Sequence, residues 1–475
     1  MKRILLYLIL VFLASCSTKQ EINEAVYFAG EIVNPTSDYI VLYREDVVVD
    51  SAKLNEDNRF SFSLKNIEEG LHHFKHEPEL QYIYLEKGDS LIIRLNTVAF
   101  DESLVFSGSN EEVNNFLLEM FLNYEDEEQL IYDYYKLKPD AFSRKIDSLR
   151  NLKLNELRSL GGPDNISTRA LKMAKASIDY NTYVYKEKYP FIHKKMSGDE
   201  TIHKLDASFY SYRKNLELND KELTFFRPYY NYVNNRFGNL SYMTCAQNCG
   251  MEKLLSSKDH LHLNKHKLQL IDSLVKEEGL RNNLFRNVAM DYLLKVHEAD
   301  TESDKFISSF HNLSMNKVHV NEIDGLYKNI KALQPNRAIP RLLVQNTHGD
   351  TVNIREISKS KQTVFYFWTG NQKRHLRNLL RQVEKLKLEN SKQQFVGINL
   401  RTPKEKWVSM IDEHAIDNKY QYRSANFDEI QETLIIDNLS KSVITNDTLI
   451  VDAFSNIFDE KGHKKHKHKK ALMLK

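Results

Sequence analysis

Cysteine is nearly missing from this chain: 475 residues hold three, Cys16, Cys245 and Cys249. So few thiols exclude a disulfide-dense scaffold. Glycine and proline are also scarce, 15 and 9, so most of the chain should be regular structure. Neither sign of charge dominates. The 67 Lys and Arg stand against 65 Asp and Glu, a formal net charge of +2, which gives no general electrostatic case for nucleic acid. No apolar run is long enough to span a bilayer. Histidines such as His72-His73 have no carboxylate or cysteine partner at ligand spacing, so no metal and no cofactor is expected.

The N-terminus supplies a short apolar run, Ile4 to Leu13, behind the positive Met1-Lys-Arg start. That is the layout of a secretory signal rather than of a membrane span. Its end, Leu13-Ala14-Ser15-Cys16, resembles the lipobox of bacterial lipoproteins. The resemblance implies cleavage before Cys16 and lipidation of its thiol. The expected partner is therefore a membrane, reached through the lipid on Cys16, with the protein on the periplasmic side or the cell surface.

Residues 1–16 are read as the signal peptide and 17–24 as a tether. Residues 25–108 read as a β domain. Val26-Tyr-Phe-Ala, Tyr39-Ile-Val-Leu-Tyr, Phe60-Ser-Phe-Ser-Leu and Ser90-Leu-Ile-Ile-Arg-Leu are short β-branched and aromatic runs between turn signals. Such spacing argues for a small antiparallel sandwich or barrel. Gly30-x-Ile, Asp50-Ser-Ala-x-Leu and Leu85-Glu-Lys-Gly-Asp-Ser-Leu are similar to the N-terminal β domain of many lipoproteins of Bacteroidetes-type bacteria. From 109 to 334 the period becomes helical: Val113, Phe116, Leu117, Met120 and Phe121 fall on one helix face. An all-α middle domain follows from that texture.

Residues 335–460 alternate between strand and helix, which predicts an α/β domain with helices on both faces of a mixed sheet. Val364-Phe-Tyr-Phe-Trp368 is a core strand, followed by a helix from about Lys373 to Leu388. Gln394-Phe-Val-Gly-Ile-Asn-Leu is a second core strand, and Thr448-Leu-Ile-Val-Asp452 a third. With Ala338-Ile-Pro340 and Trp407, this order resembles the thioredoxin-fold disulfide reductases of the membrane-tethered TlpA/ResA type. The resemblance implies a Cys-x-x-Cys directly after the first core strand and a cis-proline before the third.

Both are absent. The four motif positions read Gln372-Lys373-Arg374-His375, and counting back from Asp452 puts the cis-proline position at about Asn446. Disulfide exchange needs a thiolate to attack and a second thiol to resolve the mixed disulfide. Neither is available here. Lys373 and Arg374 at a helix start could instead attract an anion.

Cys245-Ala-Gln-Asn-Cys249 is the other redox candidate. If helical, the two thiols share a face, and in an exported protein a structural disulfide is the expected outcome. Residues 461–475, with His463-Lys-Lys-His-Lys-His-Lys-Lys470, form a basic tail suited to anionic headgroups or polysaccharide. The expectation is an exported, lipid-anchored protein with a degenerate thioredoxin-like domain that binds an envelope partner. Its rivals are a thiol-disulfide oxidoreductase working through Cys245 and Cys249, and an accessory peptide- or glycan-binding lipoprotein. The sequence does not set the oligomeric state.

Overall fold

The computed structural model describes residues 24–161, 166–199, 202, 204–249 and 257–459. Cys16 and the basic tail 461–475 lie outside them. In chain order the protein is sheet-rich, then helical, then built on a further sheet. It divides into two compact units, residues 1–253 with 274–280, and residues 254–273 with 281–475.

The first unit starts with eight strands: β1 (Val26–Val33), β2 (Tyr39–Arg44), β3 (Val47–Lys53), β4 (Arg59–Leu64), β5 (Gly70–His76), β6 (Glu79–Leu85), β7 (Ser90–Asn96) and β8 (Val105–Gly108). They form two four-stranded sheets, ordered β4-β1-β7-β8 and β3-β2-β5-β6. Alternation decides which side chains turn inward. Along β4, Phe60, Phe62 and Leu64 are buried while Arg59, Ser61 and Ser63 face out. Phe28, Ile40, Phe74 and Leu91 complete one core between the sheets. The sequence reading missed β5 because Leu71-His-His-Phe-Lys-His carries few strand-forming residues. His72 is nonetheless buried, its Nδ1 3.0 Å from the Gly70 carbonyl oxygen.

Helices Glu111–Asp126, Pro139–Ser159, Thr168–Ser197 and Arg227–Asn248 make up most of the rest of this unit. The Thr168–Ser197 helix is capped at both ends. The Ser167 hydroxyl accepts the Ala170 N–H, and Gly198 closes the C-terminus at φ 76°.

The second unit is organised on one seven-stranded sheet, ordered β10-β9-β13-β12-β11-β14-β15. Its strands are β9 (Leu343–Gln345), β10 (Thr351–Asn353), β11 (Gln362–Trp368), β12 (Gln393–Asn399), β13 (Gln421–Ser424), β14 (Lys441–Asn446) and β15 (Leu449–Asn456). β11, β12 and β13 run parallel, whereas β14 is antiparallel to β11 and β15 to β14. Helix Lys373–Glu389 connects β11 to β12 and packs Leu376, Leu379, Val383 and Leu386 onto the sheet. Trp368, Trp407, Met410 and Ile444 belong to the same core. Among the described residues, no helix is long and apolar enough to cross a membrane.

Candidate functional site

A parallel sheet presents the C-terminal ends of its strands to the helices that follow, so chemistry in α/β folds gathers at that end. β11 ends in Trp368, which is fully buried. Its indole Nε1 donates to Gln421 Oε1 at 3.2 Å, and Gln421 Nε2 donates to Tyr366 Oη at 2.8 Å. The carboxamide thus satisfies two aromatic polar atoms in the core. Gly397 on β12 leaves room for it: a Cβ there would lie 2.3 Å from Gln421 Oε1. Burial pushes the Tyr366 hydroxyl up to about 12, so it stays a neutral partner.

The loop beyond Trp368 is held close to the sheet. Gly370 N–H donates to Thr402 Oγ1 at 2.8 Å, and a Cβ at Gly370 would meet Met410 Sδ and Thr402 Cγ2 at 2.9 Å each. Asn371 and Gln372 are exposed. Gln372 occupies the N-cap of the Lys373–Glu389 helix, and its carbonyl accepts the Leu376 N–H at 3.0 Å. Its side chain makes no capping bond, and the first turn has no acidic residue. Lys373 and Arg374 are exposed there. His375 is half-buried with its ring edge-on to Phe458 at 5.9 Å, and its Nε2 makes no hydrogen bond. The site therefore combines a helix N-terminus, two cations and an imidazole. It contains no thiol.

Asn446 does not belong to this site, which corrects the sequence alignment. It ends β14 and pairs with Gln362, the first residue of β11, at the opposite end of the strand from Trp368. Asp447 and Thr448 are the turn of the β14–β15 hairpin, with Asp447 at φ 56°. The segment that enters β14 beside the end of β11 is Asp437–Ser440, since Ser442 pairs with Tyr366. That segment also lacks proline.

The same end of β14 carries a residue that the sequence reading missed. Lys441 is buried, its Nζ donating to the Ile435 carbonyl at 2.7 Å and lying 4.2 Å from the Phe454 ring centroid. Burial pulls its ammonium down to about 7 against the opposing pull of Asp437 and Asp452. His297 stacks on Phe454 at 4.2 Å and is held down to about 4 by burial, then by the Lys441 charge. No sequence signal marks Lys441, because a lysine that begins a strand is ordinarily solvated.

The cysteine pair lies in the first unit, on the end of helix Arg227–Asn248. Cys249 is the C-cap and donates its N–H to the Cys245 carbonyl at 2.9 Å. The expected disulfide is not there: the two residues are thiols, Cys245 buried and Cys249 exposed. Residues four apart on a helix hold their Cβ atoms about 5–6 Å apart, whereas a disulfide brings them to about 3.5–4.5 Å. Burial first, then the charge and hydrogen bond of Cys249, push the Cys245 thiol up to about 11. A thiol shifted that way is a poor nucleophile at neutral pH.

No family model matches the chain, and no curated protein matches it significantly. Solved structures are similar over part of it. A domain of a possible thiol-disulfide isomerase from Cytophaga hutchinsonii is 19% identical, with a TM-score of 0.26, over 30% of this chain and 98% of its own. A thiol-disulfide oxidoreductase from Bacteroides fragilis is 15% identical, TM-score 0.22, over 27% of this chain and 98% of its own. The thioredoxin domain of a Bacteroides vulgatus thiol-disulfide oxidoreductase is 17% identical, TM-score 0.20, over 25% and 87%. A parallel β11–helix–β12 unit flanked by the antiparallel β14–β15 hairpin is a thioredoxin-like arrangement.

Proposed function

We propose that this protein is an exported lipoprotein, tethered through lipid on Cys16, whose thioredoxin-like region binds a partner in the cell envelope without thiol chemistry. One observation carries the reading. The helix start that follows Trp368 keeps its open N–H groups and adds Lys373 and Arg374, yet offers Gln372 and His375 where disulfide exchange needs two thiols. The remaining thiols support it, because Cys245 is shifted away from the thiolate. What is left is a positively polarised, solvent-facing surface suited to an anionic group on a partner protein.

Disulfide exchange by the purified protein tests the catalytic half. Neither wild type nor Cys245→Ser/Cys249→Ser should turn over a disulfide substrate. Turnover in the wild type alone would make the cysteine pair a redox site, and turnover that survives the double substitution would refute the reading outright. Fatty-acid labelling in the native host tests the tether: label should be lost in Cys16→Ser.

A further inference from the structure

A cleft with a volume of about 710 Å³ lies on the outer face of the β4-β1-β7-β8 sheet. This is the size of an ordinary small-ligand site. Its floor is low because outward positions carry small side chains, Ala29 on β1 and Ser61 on β4, while Ser51 of β3 borders it. Tyr27, 45% exposed, and Ile92, 50% exposed, form an apolar end. The other end is basic. Arg59 Nη2 and Arg94 Nε lie 3.4 Å and 3.6 Å from the Glu31 carboxylate, and Lys53 makes no ion pair among the described residues. Three cations thus meet one carboxylate. Both guanidinium groups keep donors to spare, since each presents five N–H bonds.

From this we propose that the cleft binds an anionic saccharide chain bearing ring carboxylates. Charge complementarity sets the sign: a carboxylate seated between Arg59, Arg94 and Lys53 would receive charge-assisted hydrogen bonds, and Glu31 already orients the two arginines. The β1–β7 face that joins the two ends favours a saccharide over a peptide. β1 and β7, which carry Tyr27, Ala29, Glu31, Ile92 and Arg94, are each paired on both sides and have spent their backbone groups in the ladder, whereas β4 and β3 at the rim are edge strands with one open side. The face offers serine hydroxyls, guanidinium groups and an exposed tyrosine ring. These match ring hydroxyls, carboxylates and the apolar face of a sugar better than a peptide main chain, which would find backbone partners only along the β4 and β3 edges, away from Tyr27 and Arg94. The site lies in the first unit and is independent of the Gln372 region.

Calorimetric titration of the full chain with a polygalacturonate oligosaccharide tests this, with the fully methyl-esterified oligosaccharide and an oligoglutamate of equal charge as comparators. The acidic saccharide should bind, and each comparator should bind at least about tenfold more weakly. Arg94→Ala should weaken binding by roughly tenfold or more, as expected for loss of a charged hydrogen-bond partner. Arg94 is solvent-facing, so the variant should keep the wild-type circular dichroism. Ser61→Trp fills the cleft without altering its charge and should abolish binding. Absence of binding, equal or tighter binding of either comparator, or unchanged binding in Ser61→Trp would overturn the proposal.

Discussion

The helix ending at Asn248 carries a thiol, Cys245, in unfavourable electrostatics, whereas the helix beginning at Lys373 has favourable electrostatics and no thiol. At the first, Cys245 is buried one turn from a helix C-terminus, where the backbone dipole is negative and desolvation penalises a thiolate. At the second, open N–H groups and two lysine and arginine cations would stabilise an anion placed at position 372. Thiol chemistry requires nucleophile and environment at the same atom. This chain keeps them in different units, so cysteine and a thioredoxin-like sheet are both present without a thiol at the polarised helix start.

The contrast can be broken by moving thiols to the other helix. Gln372→Cys with His375→Cys should give disulfide-exchange activity well above that of the wild type. In the single variant, the thiol introduced by Gln372→Cys should alkylate at pH 7 at least about tenfold faster than free cysteine, the rate following thiolate fraction. Equal rates would show that the helix start no longer polarises position 372.

Next in size is the scaffold beneath that site. Trp368→Ala should cost about 3–5 kcal/mol, from the cavity it leaves and the Gln421 acceptor it strands. Urea unfolding would measure it. A loss of about 1 kcal/mol or less would mean that the Trp368–Gln421–Tyr366 network is not what holds the end of β11.

A pH effect should follow from Lys441, on the strand beside that end. Its folded value of about 7 lies below the ordinary lysine value of about 10.4. The unfolded chain therefore binds more protons between those values, so this group makes stability rise as pH increases from about 7 to 10. Lys441→Met should flatten that rise in the urea midpoint, and an unchanged slope would assign it to other groups. The smallest effect belongs to the cysteine helix. Cys249→Ser is an exposed cap change and should alter stability by less than about 0.5 kcal/mol. A larger loss under oxidising conditions alone would reveal a bridge to Cys245.

Much of this was legible residue by residue. Val364–Trp368 announced a core strand by its unbroken run of large apolar residues, and the structure puts β11 at Gln362–Trp368. Leu376, Leu379, Val383 and Leu386 announced the helix that follows by their spacing. β14 was hidden, because Lys441, Ser442 and Thr445 are polar side chains buried in a sheet interior. Missing it turned the β14–β15 hairpin turn into a supposed substrate loop, and Asn446 into its key residue. Sequence counting preserves chain distance but not register, and an antiparallel return places neighbours in sequence at opposite ends of a strand.

The sequence by itself determined the absence of thiols at 372 and 375, the scarcity of cysteine elsewhere and the alternation of strand and helix, because each is a matter of residue identity and period. Only the tertiary structure decided that Asn446 faces away from Trp368, that Cys245 is buried beyond easy ionisation, that Lys441 is desolvated, and that Arg59, Arg94 and Lys53 share one cleft. Those depend on strand register and on which groups lose their water, and both are set by contacts between residues far apart in the chain.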